Sequence, residues 1–467
     1  MISSRYLWAR TCPRIIRNHV FYTTKAATVS ATVTATATTT ESTLPPPVSP
    51  PPQPLQKSTT WHQAVQQAQR LVDDEPVIDP IALVGPDLGE LKGNIGKLLS
   101  SQHPFVNTVA QHYFSGQGKH IRPLLVLLMA QATSMTLPAT QRQPHANDGT
   151  TTASAAAAAI DFQSIDQPIS FGLFNMTPTS LFNQQQHYTP NRTRGGCTVL
   201  PTQRRLAEIT EMIHTASLLH DDVIDASLTR RNLPSANASF GNKMAVLGGD
   251  FLLARASLAL ARLRNGECME IMATCIANLV EGEFMQLKNT SSDRDDDAKQ
   301  PVQKKSTFDH YMDKTYMKTG SLIAQSCKAS AVLGGCDDRV KTLAFEFGKH
   351  LGLAFQLIDD MLDFTVSAAD LGKPAGADLK LGLATAPVLF AWEEYPELED
   401  LIKRKFNKKG DAEKARRLVY QSNGLKRTMT LAEKHCELAI DAIQQLPPSD
   451  AQAALIQLTK KSLTRKS

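Results

Sequence analysis

The stretch IHTASLLHDDVID, residues 213–225, decides the fold, and a second stretch, FQLIDDMLD at residues 355–363, repeats its ending. Both close on the spacing D-D-x-x-D, and in both the acidic residues stand among large apolar side chains. On an α-helix, the first and last positions of this spacing lie one turn apart on the same face. The sequence therefore predicts two apolar helices, each of which aims two or three carboxylates at one place.

Acidic residues that are half embedded in apolar helices need a cation, because burying an unpaired charge is costly. Carboxylate oxygens completed by water and phosphate are the ligands that Mg²⁺ prefers. One D-D-x-x-D alone would more often be a solvated acidic face, but two copies favour a metal site. The predicted ligands are Asp221, Asp222, Asp225, Asp359, Asp360 and Asp363. We expect the neighbouring His220 to pack or cap locally, because Mg²⁺ rarely recruits imidazole.

Basic residues that could bind phosphate occur at four places. GQGKHIRP, residues 116–123, is a glycine-rich turn whose basic residues would lie at an anion-attracting helix N-terminus. An arginine pair follows the first acidic motif, YMKTG occupies residues 316–320, and GKP occupies residues 372–374. The residues concerned are Lys119, Arg122, Arg230, Arg231, Lys318 and Lys373. Each alone would be an ordinary surface charge, and their association with two acidic motifs indicates a phosphate ligand.

Helical periodicity dominates the chain from Trp61 onward, as in Leu91, Ile95, Leu98 and Leu99. Alternating strand patterns are nearly absent, so the predicted fold class is all-α. Residues 134–202 interrupt the pattern, since they are rich in Gln, Asn, Thr and Ala. Such a segment buries too little apolar surface to offset its ordering entropy. We interpret it as a low-complexity surface insertion between two helices.

The N-terminal segment differs in composition from the rest of the chain. Its first 40 residues contain no Asp or Glu and are rich in Arg, Ser, Thr and Ala. This composition is typical of a mitochondrial transit peptide, which we predict for residues 1–44, and a disordered basic tail is the alternative. Residues 45–60 form a proline-rich spacer. One folded domain is predicted for residues 61–467.

The bulk composition excludes several classes of protein. A net charge of +5 over 467 residues argues against a nucleic-acid-binding surface. The seven cysteines form no CxxC pair and indicate free thiols in a reducing compartment. The longest apolar run, Leu124 to Ala130, is too short to cross a bilayer, so we expect any membrane contact to be peripheral.

The ordered motifs resemble the trans-polyprenyl diphosphate synthase family, and most closely its long-chain mitochondrial members, which make the side chain of ubiquinone. The resemblance also rests on GNKMAVLGGD at residues 241–250, EGEFMQ at residues 281–286 and GKPAGADLKLGLATAP at residues 372–387. It covers the chain from about Asp79 to the C-terminus, apart from the insertion.

The resemblance implies the isoprenoid synthase fold, in which helices surround a deep central cavity and the two acidic motifs face each other at its mouth. It implies a Mg²⁺-dependent transferase that condenses isopentenyl diphosphate onto an allylic diphosphate. The enzyme would be a homodimer or hetero-oligomer of the mitochondrial matrix, peripherally associated with the inner membrane, with no nucleic-acid partner. Ionisation of the allylic substrate, condensation and elimination would follow, with water excluded because it would quench the allylic cation.

Site residues follow from the same resemblance. The six aspartates and Lys318 would form the catalytic set. The allylic diphosphate would contact Arg230, Lys318, Gln356 and Lys373, and Thr319 of the same K-T-G motif would bind substrate. Isopentenyl diphosphate would contact Lys119, Arg122, His214 and Arg231. Asn232 stands where glycine often follows the arginine pair, which predicts a small loop difference.

Two small residues, Ala216 and Ser217, precede the first acidic motif where short-chain members of the family carry a bulky aromatic. We expect Ala216, five residues before Asp221, to point into the cavity and leave its floor open. The product would then contain six isoprene units or more. Close helix packing would also select small residues here, and is the alternative interpretation.

Three other functions remain open. A class I terpene cyclase would share the first acidic motif, but its second motif would mix Asn, Ser and Glu. A non-catalytic subunit of a heteromeric synthase tends to lose aspartates, and all six are present. A farnesyl or geranylgeranyl diphosphate synthase would close the cavity floor, and farnesyl-type enzymes usually carry a second lysine near the position of Leu383.

Overall fold

Helices make up almost all the regular structure in the computed structural model, which describes residues 78–99, 108–109, 112–114, 120–136, 199–230, 233–290, 304–365 and 376–465. These residues all belong to the compact unit 58–467. The first half contains α1 (Pro80–Leu83), α2 (Gly85–Leu98), α3 (Ile121–Ser134), α4 (Pro201–Ile224), α5 (Ala236–Phe240), α6 (Asn242–Arg262) and α7 (Gly266–Thr290). The second half contains α8 (Lys304–Thr315), a π-helix (Tyr316–Gly320), α9 (Ser321–Leu333), α10 (Asp338–Thr365), α11 (Ala377–Lys380), α12 (Ala386–Glu394), α13 (Leu398–Lys403), α14 (Asp411–Gln421), α15 (Gly424–Gln444) and α16 (Asp450–Thr464).

Helix α4 carries the first acidic motif and runs through the core. Pro201 occupies its first turn, where a missing N–H costs nothing. The Leu200 N–H donates to Gln203 Oε1 at 2.9 Å, and Gln203 Nε2 donates to Ser330 O at 2.8 Å, which ties this end to α9. Most of its side chains are buried against α3, α6 and α9. The helix therefore reaches its acidic C-terminal turn as a rigid, well-supported element.

Helix α10 carries the second acidic motif and packs closely against the π-helix and α9. Glycine makes this approach possible, because a Cβ atom at Gly352 would lie 2.7 Å from Gly320 Cα. A Cβ atom at Gly348 would lie 2.7 Å from Ile323 O. The other side of α10 packs on α15. Close packing before residue 355 thus fixes the position of the motif that follows.

The all-α prediction is confirmed, since the described strands are a two-residue antiparallel pair, β1 (Thr229–Arg230) and β2 (Leu233–Pro234). The periodic residues Leu91, Ile95, Leu98 and Leu99 are all buried. The run from Leu124 to Ala130 lies in the buried core helix α3.

Several segments predicted from the sequence lie outside the residues that the structure describes. They are the transit peptide (1–44), the spacer (45–60) and residues 137–198 of the insertion. The predicted insertion ends, 134 and 202, overlap the described helices slightly, because α3 ends at Ser134 and α4 begins at Pro201.

Helix α6 is the one described helix that is long and apolar enough to span a membrane by length and composition alone. In this fold, Gly248, Leu252 and Ala256 are buried, and the helix packs on α4. Its other face leaves Leu247 and Leu258 exposed. The helix is thus a core element with one uncovered apolar face.

Candidate active site

The first acidic motif divides into outward and inward carboxylates. Asp221 and Asp225 are partly exposed, whereas Asp222 is 0% exposed. The Asp225 N–H donates to Asp221 O at 2.8 Å, so these two residues close the last turn of α4. Because they are four residues apart they share a face, and Asp222 points about 100° away from it, into the protein.

Asp222 binds two side chains from other parts of the chain. Arg230 donates two hydrogen bonds to Asp222 Oδ1, from Nε at 2.8 Å and from Nη2 at 2.6 Å. The Tyr113 hydroxyl donates to Oδ2 and accepts from the Ala236 N–H at 3.0 Å. The buried carboxylate thus orients Arg230, one of the predicted phosphate-binding residues.

Lys318 faces the first motif from the π-helix. Its Nζ atom lies 2.7 Å from Glu283 Oε1 and donates to Gln286 Oε1 at 3.1 Å. Gly282 allows α7 to come this close, because a Cβ atom there would lie 3.0 Å from Lys318 N. π-Helical turns occur frequently at functional sites. The K-T-G and E-G-E-x-x-Q motifs therefore meet.

The second acidic motif has a different partner at each carboxylate. Asp359 Oδ1 accepts from Arg465 Nη2 at 2.6 Å. Asp360 is buried and accepts from the Tyr311 hydroxyl at 2.5 Å. Asp363 accepts the backbone N–H of Ala377 at 3.1 Å and so stabilises the start of α11.

A hydrogen-bonded chain joins the second motif to the K-T-G turn. Gln356 Nε2 donates to Asp360 Oδ1 at 2.7 Å, and Thr319 Oγ1 donates to Gln356 Oε1 at 2.9 Å. Three predicted site residues, Thr319, Gln356 and Asp360, are therefore in direct contact. Lys318 stands beside them in the chain and faces the first motif.

Burial gives the carboxylates unusual proton affinities. It raises the pKa of Asp221 to about 7, an effect that Lys318 opposes and Glu283 reinforces. Burial likewise raises the pKa of Asp225, and that of Asp360 to about 6. Burial alone would lower the pKa of Lys318, but Asp221 and Glu283 raise it above its usual value. These carboxylates are destabilised in their charged form and would gain from a nearby cation.

A cavity of about 60 Å³ lies beside the first motif. Asp221, Glu283 and Lys318 form its polar wall, and Ile213, Leu253 and Ile276 form its apolar wall. Its chemistry therefore changes from charged to hydrocarbon across one small space. A larger surface depression of about 500 Å³, near Phe390 and Arg427, contains none of the motif residues.

The two predicted chain-length residues have different positions. Ser217 lines the cavity, four residues before Asp221. Ala216 is 0% exposed, belongs to the core and does not line this cavity, unlike the sequence prediction. The helix repeat explains the difference, since residues four apart share a face and residues five apart are turned about 140° from each other.

A second group of polar residues lies further back along α4. Arg122 Nη1 lies 2.9 Å from His214 Nε2, so the structure joins two residues predicted to bind isopentenyl diphosphate. Beside them, His120 Nδ1 lies 3.0 Å from Glu211 Oε1. His214 is seven residues before Asp221, about 10 Å along the helix. The predicted binding residues Lys119, Arg231 and Lys373 lie outside the described residues.

His220 packs locally, as predicted. Its Nε2 atom lies 3.3 Å from Val246 O and 3.4 Å from Asp250 Oδ1, and a side chain at Gly249 would collide with the ring. Among the described residues, no three His, Cys, Asp or Glu side chains converge into a complete metal-binding group.

Sequence reasoning assigned no role to several residues that the structure brings into the site: Glu283, Tyr113, Tyr311, Lys314 and Arg465. The E-G-E-x-x-Q motif was a usable signal for Glu283, because its spacing matched no simple core pattern. Lys314 is largely buried and interacts electrostatically with Asp360 and Lys318. It stands four residues before Lys318, which was the available signal.

Comparison with known proteins connects this geometry to a chemistry. Residues 191–419 match the polyprenyl synthetase family. The probable mitochondrial hexaprenyl pyrophosphate synthase of Yarrowia lipolytica is 51% identical over 411 residues, 87% of this chain and 89% of the relative. Decaprenyl-diphosphate synthase subunit 1 of Schizosaccharomyces pombe is 44% identical over 384 residues, 82% of this chain and 90% of the relative.

A solved structure shares the architecture. The polyprenyl synthase from Caulobacter crescentus CB15, crystallised with calcium and isoprenyl diphosphate, superimposes with a TM-score of 0.62 and 27% sequence identity. The match covers 83% of this chain and 97% of that protein.

Proposed function

This chain belongs to the polyprenyl synthetase family of prenyltransferases, and from that premise we propose a magnesium-dependent synthase that extends an allylic diphosphate by successive isopentenyl diphosphate units. The relatives place it in mitochondria. We further propose that its product is the precursor of the ubiquinone side chain, and that residues 1–44 are its transit peptide.

The cavity beside Asp221 carries this proposal. Its walls are charged at Asp221, Glu283 and Lys318 and apolar at Ile213, Leu253 and Ile276. A substrate with an anionic head and a hydrocarbon tail matches that gradient. An ordinary metabolite with a polar body would leave the apolar wall unmatched.

The donor set fits a divalent cation of the magnesium class. Asp221, Asp225, Asp359 and Asp363 are the partly exposed carboxylates, and burial already raises the pKa of the first two. These four would hold the ion, with water and substrate phosphate completing its shell. Magnesium there would neutralise the departing diphosphate, an effect worth several kcal/mol.

The chain's own residues would divide the remaining work. Lys318 and Arg230 bind the allylic diphosphate, and Arg230 is oriented for this by its two bonds to Asp222. Arg122 and His214 bind isopentenyl diphosphate about 10 Å away along α4. The C–O bond to the allylic diphosphate breaks, and the double bond of the second substrate attacks the resulting cation. A proton then leaves, and we assign it to the released diphosphate.

The cavity walls would protect the cation. Ile213, Leu253 and Ile276 exclude water from the carbon that carries the charge. A volume of about 60 Å³ is small beside the roughly 300–1,000 Å³ of an ordinary ligand pocket, so a growing chain must part the walls. We propose a product of six isoprene units or more. The small side chain of Ser217 leaves open the path along which the chain would grow away from Asp221.

A second subunit would cover the apolar face of α6 and α7. Leu247, Leu258 and Val280 are exposed there, and Phe284 is 61% exposed. Apolar side chains that recur on two adjacent helices mark an interaction surface. We propose that a second copy or a related subunit packs on it, as the name of the Schizosaccharomyces relative suggests for that protein.

A product assay tests the proposal. The purified protein is incubated with labelled isopentenyl diphosphate and farnesyl diphosphate, with Mg²⁺ or with EDTA, and the products are sized. Long-chain diphosphates that require Mg²⁺ and are lost in Asp221→Asn are expected. Asp338→Asn, which changes a 97% exposed acid at the start of α10, is the matched control and keeps activity.

The alternatives give different results in the same assay. Products that end at 15 or 20 carbons would indicate a short-chain synthase. Release of pyrophosphate from farnesyl diphosphate alone would indicate a cyclase. Activity that appears only after coexpression with a second subunit would indicate a heteromeric enzyme. A fusion of residues 1–60 to a fluorescent protein tests the transit peptide separately, since a diffuse signal would contradict it.

A further inference from the structure

Arg465, the last described residue of the chain, lies against the second acidic motif. Its Nη2 atom donates to Asp359 Oδ1 at 2.6 Å and to Phe355 O at 2.7 Å. The guanidinium carbon lies 3.5 Å from the centre of the Phe355 ring. The side chain is only 16% exposed. A carboxylate, a carbonyl and an aromatic ring from one turn of α10 therefore hold this cation.

Asp359 is the carboxylate of this motif that a metal can reach most easily. Asp360 is buried beneath Tyr311 and Gln356, and Asp363 accepts the N–H of Ala377. Asp359 is 45% exposed. The guanidinium nevertheless occupies one of its oxygens. A cation bound at that oxygen would lie close enough to the guanidinium for strong repulsion.

We propose that Arg465 is a built-in counter-cation of Asp359, which leaves when magnesium diphosphate binds and so sets the metal affinity of the second motif. This inference rests on the proposed function. Arg465 is a positioning residue, because it acts through Asp359. Its position favours displacement, since it follows the last residue of α16 and has extended backbone angles. Moving it breaks no helical turn.

Calorimetry of metal binding tests the competition. MgCl₂ is titrated into the full-length protein saturated with inorganic pyrophosphate, for wild type, Arg465→Ala, Arg465→Lys and Lys461→Ala. The last variant removes the same charge from an exposed position one turn earlier on α16. Arg465→Ala should bind Mg²⁺ about two- to fivefold more tightly, the range expected for loss of one partly exposed ion pair. Arg465→Lys and Lys461→Ala should stay near wild type.

Hydrogen exchange supplies a readout that does not depend on affinity. Adding Mg²⁺ and pyrophosphate to wild type should speed exchange at the amides of residues 461–465, because the contact with α10 is released. In Arg465→Ala these amides should exchange fast from the start and respond little.

The outcomes separate this inference from the proposed function. If wild type binds no magnesium pyrophosphate, the proposed function fails. If wild type binds it and Arg465→Ala binds equally or less tightly, Arg465 does not compete with the metal, and the inference is wrong. Slower exchange at residues 461–465 after ligand addition would also overturn it, because the arginine would then be held more firmly.

Discussion

Tyr311 donates a 2.5 Å hydrogen bond to Asp360, and Tyr113 makes the equivalent contact with Asp222 in the other acidic motif. Each tyrosine thus binds the central carboxylate of one motif. Asp222 also holds Arg230, and Asp360 also holds Gln356. The central aspartates are therefore internal acceptors that orient predicted substrate-binding side chains, while the outer aspartates, Asp221, Asp225, Asp359 and Asp363, remain partly exposed.

Neighbouring aspartates of the first motif should respond differently to substitution. Asp222→Asn breaks a buried pair with Arg230 and should lower the free energy of unfolding by about 3 kcal/mol. Asp221→Asn removes a charge that burial disfavours and should leave stability unchanged or raised. Both variants should lose condensation activity. Thermal unfolding in EDTA, beside steady-state kinetics, measures the two effects.

Equal stability of the two variants would contradict this division of roles. Tyr113→Phe provides a milder control, because it removes one hydroxyl and leaves the Arg230 contact in place. Its stability loss should be about 2 kcal/mol, the usual value for two hydrogen bonds, because the hydroxyl donates to Asp222 and accepts from the Ala236 N–H.

The proton affinity of Asp221 predicts a pH dependence in the metal-free protein. Its pKa is about 7 in the folded state against 3.8 ordinarily, so the folded protein binds a proton that the unfolded chain releases. This group therefore stabilises the fold at low pH, and the contribution is lost as pH rises from about 4 through about 7. Relative to Asp221→Asn, wild type in EDTA should lose stability over that window.

With Mg²⁺ bound, the protein should no longer lose stability as pH rises, because the cation binds the charged carboxylate of Asp221 and displaces its proton. The apparent Mg²⁺ affinity, measured with pyrophosphate present, should be higher at pH 8 than at pH 6. Proton release, read from titrations in buffers of different ionisation enthalpy, should accompany binding at pH 6. Binding without pH dependence in this range would show that Asp221 is not a ligand.

The fold class and the positions of the motifs could be predicted from the sequence, whereas the side-chain contacts within each motif could not. Apolar periodicity and paired D-D-x-x-D spacing depend on local order, so the two helices could be anticipated. The shared role of Arg122 and His214, which lie 92 residues apart, came from the family resemblance instead. The partners of Asp360 and Asp359 could not be anticipated, because Tyr311 and Arg465 lie 49 and 106 residues away in sequence. Only tertiary packing brings such side chains together.

Ala216 shows that the sequence can also fail to predict side-chain positions between residues that are close together in the chain. Counting residues back from Asp221 did not decide which of two small neighbours faces the cavity. One residue of shift turns a side chain by about 100°, which here separates the buried core from the cavity wall.

The insertion should be removable, because both of its ends contact the same part of the protein. Thr136 Oγ1 lies 3.8 Å from Cys336 Sγ, just after α9, and Gln203 Nε2 donates to Ser330 O near the end of α9. A short Gly/Ser linker in place of residues 140–196 should therefore join α3 to α4 without strain. Product profile and melting temperature should match wild type.

Failure of that variant to fold would show that the insertion contributes to the core. A matched control replaces residues 140–196 with a scrambled segment of equal composition. If the scrambled and deleted proteins both behave as wild type, neither the sequence nor the length of the insertion matters for catalysis.

Product length should respond to Ser217 more directly than to Ala216. Ser217 lines the cavity four residues before Asp221, so a phenylalanine there would fill the path that the growing chain must take. Ser217→Phe should shorten the product towards 15 or 20 carbons and spare the first condensations. Ala216→Phe places the same ring in a fully buried site, where overpacking costs about 1–3 kcal/mol. It should lower the melting temperature, and it can shorten the product only by pushing neighbouring side chains into the cavity. Sizing the products of both variants, with Ser217→Ala as the control that keeps the path open, measures the contrast. Unchanged product length in Ser217→Phe, in a protein that remains folded, would show that the chain grows along another path.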